Sequence, residues 1–176
     1  MSLLIVSGPP GSGKSSVATL LADAEDRSVL VAGDDLFAFL RAGRLEPWLP
    51  ESNHQNTVVI EAAAAATGRF AADYATVYDG VLGPWFIDEF AAHLGLVGFD
   101  YVVLLPAEDV CVERVQAREG HGFTSPDATR KMHHEFSRAT IAARHVVRPG
   151  RHETPDDVAA EIKAHRRAGL LRYSPS

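Results

Sequence analysis

The sequence predicts an α/β fold, a five-stranded parallel sheet held between two layers of helices and topped by a small lid. Short apolar runs alternate along the chain with longer stretches of helical pattern, the order produced when strands are joined by crossover helices. Those runs are apolar at consecutive rather than alternate positions, as in strands buried on both faces. The first run leads at once into a glycine-rich turn and then an amphipathic helix. With 176 residues and 46% hydrophobic content, the chain suffices for one well-filled core and is short for two, so residues 1–176 are expected to form a single domain.

Leu3–Ser7 is the first strand, followed by Gly8-Pro9-Pro10-Gly11-Ser12-Gly13-Lys14-Ser15. Glycine, four residues, then Gly-Lys-Ser is the P-loop pattern, a turn that aims successive backbone N–H groups at nucleotide phosphates. Its glycines admit positive φ and close approach of the backbone to oxygen, while Pro9 and Pro10 restrict the turn. Lys14 supplies a point charge for the β and γ phosphates and Ser15 a hydroxyl for Mg²⁺; nucleotide contacts are expected from Gly8 through Ser16. The helix Lys14–Asp23 turns its positive end toward the anion.

Ser28–Ala32 is the second strand and Asp34–Arg41 the next helix, with Asp34 where an N-cap would sit. Gly43–Asn53, carrying Pro47, Trp48 and Pro50, reads as a loop or broken helix. The helix Gln55–Thr67 has Gly68 suited to its end. Ala75–Tyr78 is the third strand, and the helix Pro84–Leu94 carries proline in its first turn. Tyr101–Leu105 is the fourth strand, followed by the helix Ala107–Arg118. Glu119–Pro126, with Gly120, His121 and Gly122, is a connection between helices, and the lid is assigned to approximately residues 119–130. The helix Pro126–Ala143, a weaker fifth strand His145–Arg148, and the helix Thr154–Arg166 with Thr154 at its N-cap complete the series. The tail from Arg166 is basic and then Ser/Pro-rich, suited either to disorder or to a short cover.

A formal net charge of -6 argues against nucleic acid or an anionic membrane surface as the main partner. One cysteine, Cys111, cannot form an internal disulfide, and the apolar start is too short for a signal peptide, so a cytoplasmic location is expected. No apolar run reaches the roughly 20 residues that span a bilayer. Composition leaves the oligomeric state open.

Beyond the P-loop, Asp34 and Asp35 follow the second strand at the sheet edge that the P-loop also faces. A carboxylate there can accept the proton of an attacking hydroxyl or hold the Mg²⁺ shell; a helix cap is the competing role, and either aspartate can be the base. Asp79 ends the third strand and suits Mg²⁺ binding or acceptor orientation, or an ordinary Asp-Gly turn. Trp85 suits stacking on a substrate or a place in the core or rim. Arg114 and Arg118, four apart, share a helix face and can both reach a phosphate, or can pair with Glu113 and Glu119; Arg130 is a weaker candidate for the same task. His133, His134 and Glu135 lack a third ligand at metal spacing. His54, Gln55 and Asn56 are either capping residues or part of an acceptor pocket.

Together these residues resemble the small P-loop kinases, the group containing gluconate kinase, shikimate kinase, adenylylsulfate kinase and chloramphenicol phosphotransferase, over nearly the whole chain. The resemblance implies the P-loop nucleoside triphosphate hydrolase fold. Gly33-Asp34-Asp35-Leu36 is similar to the Gly-Asp motif of gluconate and adenylylsulfate kinases, and implies Asp34 as catalytic base. Glu113-Arg114-Val115 to Arg118, with Gly120-His121, resembles the helix and lid of gluconate kinase, implying Arg114 against the adenine and Arg118 on phosphate. Tyr78-Asp79-Gly80 resembles the Asp-Gly turn of nucleoside monophosphate kinases, but Val81-Leu82-Gly83-Pro84-Trp85 lacks their arginine. The implied activity is ATP- and Mg²⁺-dependent transfer of the γ-phosphate to a hydroxyl of a small molecule such as an antibiotic, sugar or nucleoside, with Lys14, Asp34 and Arg118 catalytic. Ser15 and Asp79 would hold the metal. The alternative is a nucleotide-binding switch or slow ATPase without an acceptor.

Overall fold

A computed structural model describes residues 2–117 and 124–174. Five parallel strands, β1 (Ser2–Ser7), β2 (Ser28–Ala32), β3 (Ala75–Asp79), β4 (Phe99–Leu104) and β5 (Val146–Val147), stand in the order β2-β3-β1-β4-β5. The helices are α1 (Lys14–Asp23), α2 (Gly33–Leu36), α3 (Asn53–Ala71), α4 (Pro84–Leu94), α5 (Glu108–Gln116), α6 (Pro126–Arg138) and α7 (Pro155–Arg167).

The period of two along β1 divides the core. Leu3 and Ile5 point into one layer with Ile60 and Ala63 of α3, Phe90 and Leu94 of α4, and Phe136 of α6. Leu4 and Val6 point into the other with Val17 and Leu21 of α1 and Val158 and Ile162 of α7. Both faces of a central strand are covered, which is why its sequence shows an unbroken apolar run. Because β3 and β4 flank β1 on opposite sides, the order reverses at β1, where open α/β sheets bind ligands beyond the carboxyl ends of their strands.

Several elements differ from the sequence expectation. The chain turns helical at Gly33 directly from the extended Ala32, so Asp34 lies within the first turn instead of capping it. Helix α2 spans only Gly33–Leu36 and tightens into a 3-10 turn over Phe37–Phe39, since Leu40 is already extended. Gly68 does not end its helix: α3 continues to Ala71, and a Cβ added at Gly68 would fall 1.9 Å from the carbonyl oxygen of Leu94. That glycine lets α3 and α4 approach backbone to backbone. Helix α6 stops at Arg138, where Ala139 becomes extended, and a separate 3-10 turn covers Ala143–His145. The tail acts as a cover, with β6 (Arg172–Tyr173) pairing antiparallel to β4 through Phe99 and Asp100. Thr154 caps α7 as expected, in a reciprocal capping box with Asp157. Of the lid, residues 119–123 lie outside the described residues, and residues 126–130 are the first turn and more of α6.

Candidate active site

The turn after β1 is held by sterics that sequence alone implies. Gly8 has φ 147 and Gly11 φ 78; a Cβ at Gly8 would fall 2.3 Å from the carbonyl oxygen of Leu104, and one at Gly11 2.2 Å from that of Cys111. The loop is thus seated on the end of β4 and the first turn of α5. Ser12 N–H donates to the Pro9 carbonyl at 3.2 Å, closing the turn. Helix α1 then begins at the left-handed Gly13 with no side-chain cap and no acidic residue in its first turn. Its leading N–H groups are left for an anion. By contrast α6 and α7 are capped by their own Ser125 and Thr154.

Lys14 is only 5% exposed and has no ion-pair partner among the described residues. A buried ammonium is costly unless a counter-charge meets it, and the uncapped helix end beside it calls for the same species. Ser15 and Ser16 are exposed at the start of α1. Cys111, in contact with this loop, is buried, and burial pushes its thiol up to about 11, against the opposing pull of Arg114 and Lys14, which disfavours the thiolate.

Strand register sets the carboxylates. Val6, Asp79 and Ala32 form one row across β1, β3 and β2. Asp79 ends that row at 9% exposure, while Asp34 and Asp35, two and three residues past Ala32, stand exposed above it. The Tyr78 hydroxyl lies under this group, so close to Gly33 that a Cβ there would be 2.1 Å away. Burial, then the charges of Asp34 and Asp79, hold that phenol well above its ordinary range, so it stays a neutral donor beside two carboxylates. The far side of the row is tied by Ser7, whose Oγ donates to the Leu82 carbonyl at 2.7 Å and accepts its N–H at 2.9 Å; Tyr101 donates to the same carbonyl at 2.9 Å. These bonds fix the segment between β3 and α4.

Arg114 lies against the loop, with Nη1 3.5 Å from where a Cβ on Gly13 would be. It does not pair with Glu113, because Arg151 takes that carboxylate at 2.5 Å together with Asp109 at 2.5 Å. Arg114, Gly13, Ser16, Pro149, Glu153 and Val158 border a cavity of about 330 Å³ beside the loop. Arg118 lies outside the described residues. Arg130 is engaged elsewhere, 3.0 Å from Asp127 and 4.0 Å from Glu108. His133 Nε2 meets the Pro106 carbonyl at 2.8 Å and its Nδ1 lies 3.9 Å from Glu108, which His134 approaches at 3.0 Å; the three do not converge as a metal-ligand trio among the described residues.

A second cavity, about 460 Å³, opens between the loop before α3, the N-terminal turns of α3 and α4, and α6. Asn56, Trp48 and Trp85 are among its walls. Gln55 and Asn56 each hold the preceding loop: Gln55 pairs with both the N–H and carbonyl of Leu45, and Asn56 Nδ2 donates to the Pro47 carbonyl at 2.7 Å. His54 is exposed at the start of α3.

The residues present suit Mg²⁺ of the kind that phosphates carry. Ser15 offers a hydroxyl at the mouth of the loop and Asp79 a carboxylate at the strand end, a sparse oxygen set that phosphate and water would complete. The one trio of potential metal ligands among the described residues, Glu61, Glu89 and His93, sits on α3 and α4 away from the strand ends.

Sequence reasoning missed Tyr78 as a neighbour of the carboxylates, Ser7 and Tyr101 as anchors of the adjoining segment, and Arg151 as the partner of Glu113. Only the spacing of Tyr78, immediately before Asp79, hinted at its role.

The AAA domain family matches residues 3–140. No curated protein sequence matches the chain. Among solved structures, a sugar kinase from Janibacter sp. HTCC2649 shares 17% identity at TM-score 0.71, over 98% of this chain and 99% of that one. The tunicamycin resistance protein of Deinococcus radiodurans shares 16% at TM-score 0.68, over 99% of each chain. A gluconokinase from Sinorhizobium meliloti 1021 shares 24% at TM-score 0.61, over 96% of this chain and 91% of that one. At such identities the likeness is one of fold. No helix among the described residues is long and apolar enough to cross a membrane. With a family match covering most of its length and the glycine-rich loop seated at the switch point of a 2-3-1-4-5 sheet, the chain belongs to the AAA domain family and has the P-loop nucleoside triphosphate hydrolase fold.

Proposed function

We propose that the protein is an ATP- and Mg²⁺-dependent phosphotransferase that moves the γ-phosphate to a hydroxyl of a small molecule. The observation that carries the reading is the pairing of two half-sites at one sheet edge: a buried Lys14 with no ion-pair partner among the described residues, under an uncapped helix end, and exposed Asp34 beside buried Asp79 one strand away. The first receives a polyphosphate and the second prepares an acceptor. The Gly8–Ser16 loop cradles the phosphates through the backbone N–H groups it leaves free, Pro9 and Pro10 having none and that of Ser12 being used on the Pro9 carbonyl, and Lys14 meets the β and γ oxygens. Ser15 and Asp79 would hold Mg²⁺, which when bound would supply positive charge to the phosphate oxygens. Asp34 accepts the acceptor's proton, with Asp35 its nearest substitute; Arg114 is assigned to the adenine, and Arg118, outside the described residues, to the γ-phosphate. The kinases named among the fold neighbours support transfer to a small molecule over a switch.

Asp34→Asn tests the assignment. The isosteric amide cannot take a proton, so kcat should fall by about 10²–10⁴-fold while the Kd for ATP is unchanged. Unchanged turnover with an acceptor would remove Asp34 from the role of base. ATP consumption that ignores every acceptor would favour the slow ATPase.

A further inference from the structure

The 460 Å³ cavity has properties that the P-loop does not explain. Trp85 is 45% exposed, yet it is locked: Phe136 meets its ring edge-on at 5.1 Å, and it folds over Gly83 so closely that a Cβ there would fall 2.3 Å from Cζ2. A large ring fixed in place and left half-bare offers a surface for another flat group. Trp48 forms a further part of the same wall.

Asn56 adds a polar demand. It is 8% exposed, and its amide orientation is set because Nδ2 donates to the Pro47 carbonyl at 2.7 Å and to Ser52 Oγ at 3.1 Å. Oδ1 is thereby left buried without a donor among the described residues. An unmet buried carbonyl costs about 1–3 kcal/mol, and a group entering this cavity can supply the missing N–H or O–H. On the opposite wall Lys131, Glu135 and Arg138, spaced four and three apart, share one face of α6. Lys131 Nζ is used on the Trp48 carbonyl at 2.9 Å; Glu135 and Arg138 side chains have no partner among the described residues. Two cations against one carboxylate repel a polycation, while an unpaired acid and guanidinium suit hydroxyl groups.

Resting on the phosphotransferase reading, we infer that this cavity is the acceptor site and that its substrate is a ring-bearing alcohol without positive charge. Its flat ring lies on the indoles, an N–H or O–H donates to Asn56, and hydroxyls meet Arg138 and Glu135. An open-chain polyol acid would leave both indoles unused. In the step itself the acceptor oxygen bonds to the γ-phosphorus, the bond from that phosphorus to the β–γ bridging oxygen breaks, the hydroxyl proton passes to Asp34, and ADP leaves with the electron pair.

The chain's two tryptophans both border this cavity, so intrinsic fluorescence reads its occupancy directly. The test titrates an uncharged nucleoside, a phenyl-substituted propanediol, gluconate and an aminoglycoside without nucleotide, then assays phosphate transfer to each with Mg²⁺-ATP. At least one ring-bearing alcohol should quench the indoles and accept phosphate, and the two ring-bearing arms distinguish a base from an aryl group. Trp85→Ala should raise its KM about tenfold with the Kd for ATP unchanged. Arg138→Met, at an exposed and unpartnered side chain, should raise KM in the same direction and keeps the test open if Trp85→Ala misfolds. Preferred transfer to gluconate or the aminoglycoside, no quenching by either ring-bearing probe, or an unaltered KM in both variants would overturn the inference. Quenching without transfer would uphold the cavity's ligand class and sink the phosphotransferase reading instead.

Discussion

Gly11→Ala, compared with Gly95→Ala, separates the two reasons for glycine in the phosphate loop. Both residues have positive φ, 78 and 67, but a Cβ at Gly95 meets nothing within 4 Å whereas one at Gly11 falls 2.2 Å from the Cys111 carbonyl oxygen. Gly95→Ala incurs only the left-handed backbone cost, about 1–2 kcal/mol. Gly11→Ala adds a clash with backbone that cannot rotate aside, worth a further ~1–3 kcal/mol by analogy with overpacked cores. For a chain of this length each kcal/mol moves Tm by about 2–4 °C. The expected losses are therefore about 2–8 °C for Gly95→Ala and about 4–20 °C for Gly11→Ala, measured by thermal unfolding under identical conditions. The nucleotide response discriminates further. ATP at a hundredfold excess over Kd contributes about 2.7 kcal/mol, so it should raise Tm by about 5–11 °C in the parent and in Gly95→Ala. Gly11→Ala should show almost none of that rise, because the loop must leave α5 and its N–H groups lose their common aim. A Gly11→Ala protein as stable as Gly95→Ala, or one that keeps the full ATP-induced rise, would refute the seating of the loop on α5.

Two further outcomes follow from the same packing. Gly68→Ala removes a helix-interior glycine, which on propensity alone gains about 1 kcal/mol; the 1.9 Å approach to Leu94 reverses the sign, and urea unfolding should show a net loss, whereas a gain would mean that α3 and α4 are not in backbone contact there. His145 is buried and its ring nitrogen bonds the Tyr101 carbonyl at 2.9 Å, and burial holds its pKa below the ordinary 6.5. Above that value both folded and unfolded chains carry it neutral; below it the unfolded chain binds a proton that the folded one refuses, so stability falls as pH drops. The decline in Tm between pH 7 and pH 5 should be smaller in His145→Gln, and an equal decline would exclude His145 as its source.

Features carried by local chemistry were legible in the sequence. The P-loop is read from eight consecutive residues, and Asp79 and Asp34 from their places just after apolar runs. Thr154 with Asp157 spells its own cap. What was not legible depends on partners remote in the chain. Gly68 looks like a helix end until Leu94 stands against it. The brevity of α2 follows from an entry straight out of β2 at Ala32, not from the composition of Asp34–Arg41. The tail became a strand only because Phe99 and Asp100 offered an open edge. The 460 Å³ cavity is the extreme case: Asn56 and Trp85 were legible singly, as pocket and stacking candidates, but no period or spacing announces their meeting with Trp48 and Arg138 from four segments. Tyr78 reads simply as a core residue of β3, and its place beside two carboxylates, whose charges help hold its phenol neutral, appears only when Gly33 is folded over it.

A phosphotransferase must carry the γ-phosphate of ATP to an acceptor hydroxyl. The direct measurement incubates the protein with Mg²⁺ and ATP labelled in its γ-phosphate, with and without a ring-bearing alcohol, and follows the label by phosphorus NMR and mass spectrometry. The expected result is label on the alcohol as a phosphate monoester, dependent on Mg²⁺ and lost in Asp34→Asn. Label released only as inorganic phosphate, at the same rate whether or not any acceptor is present, would contradict it.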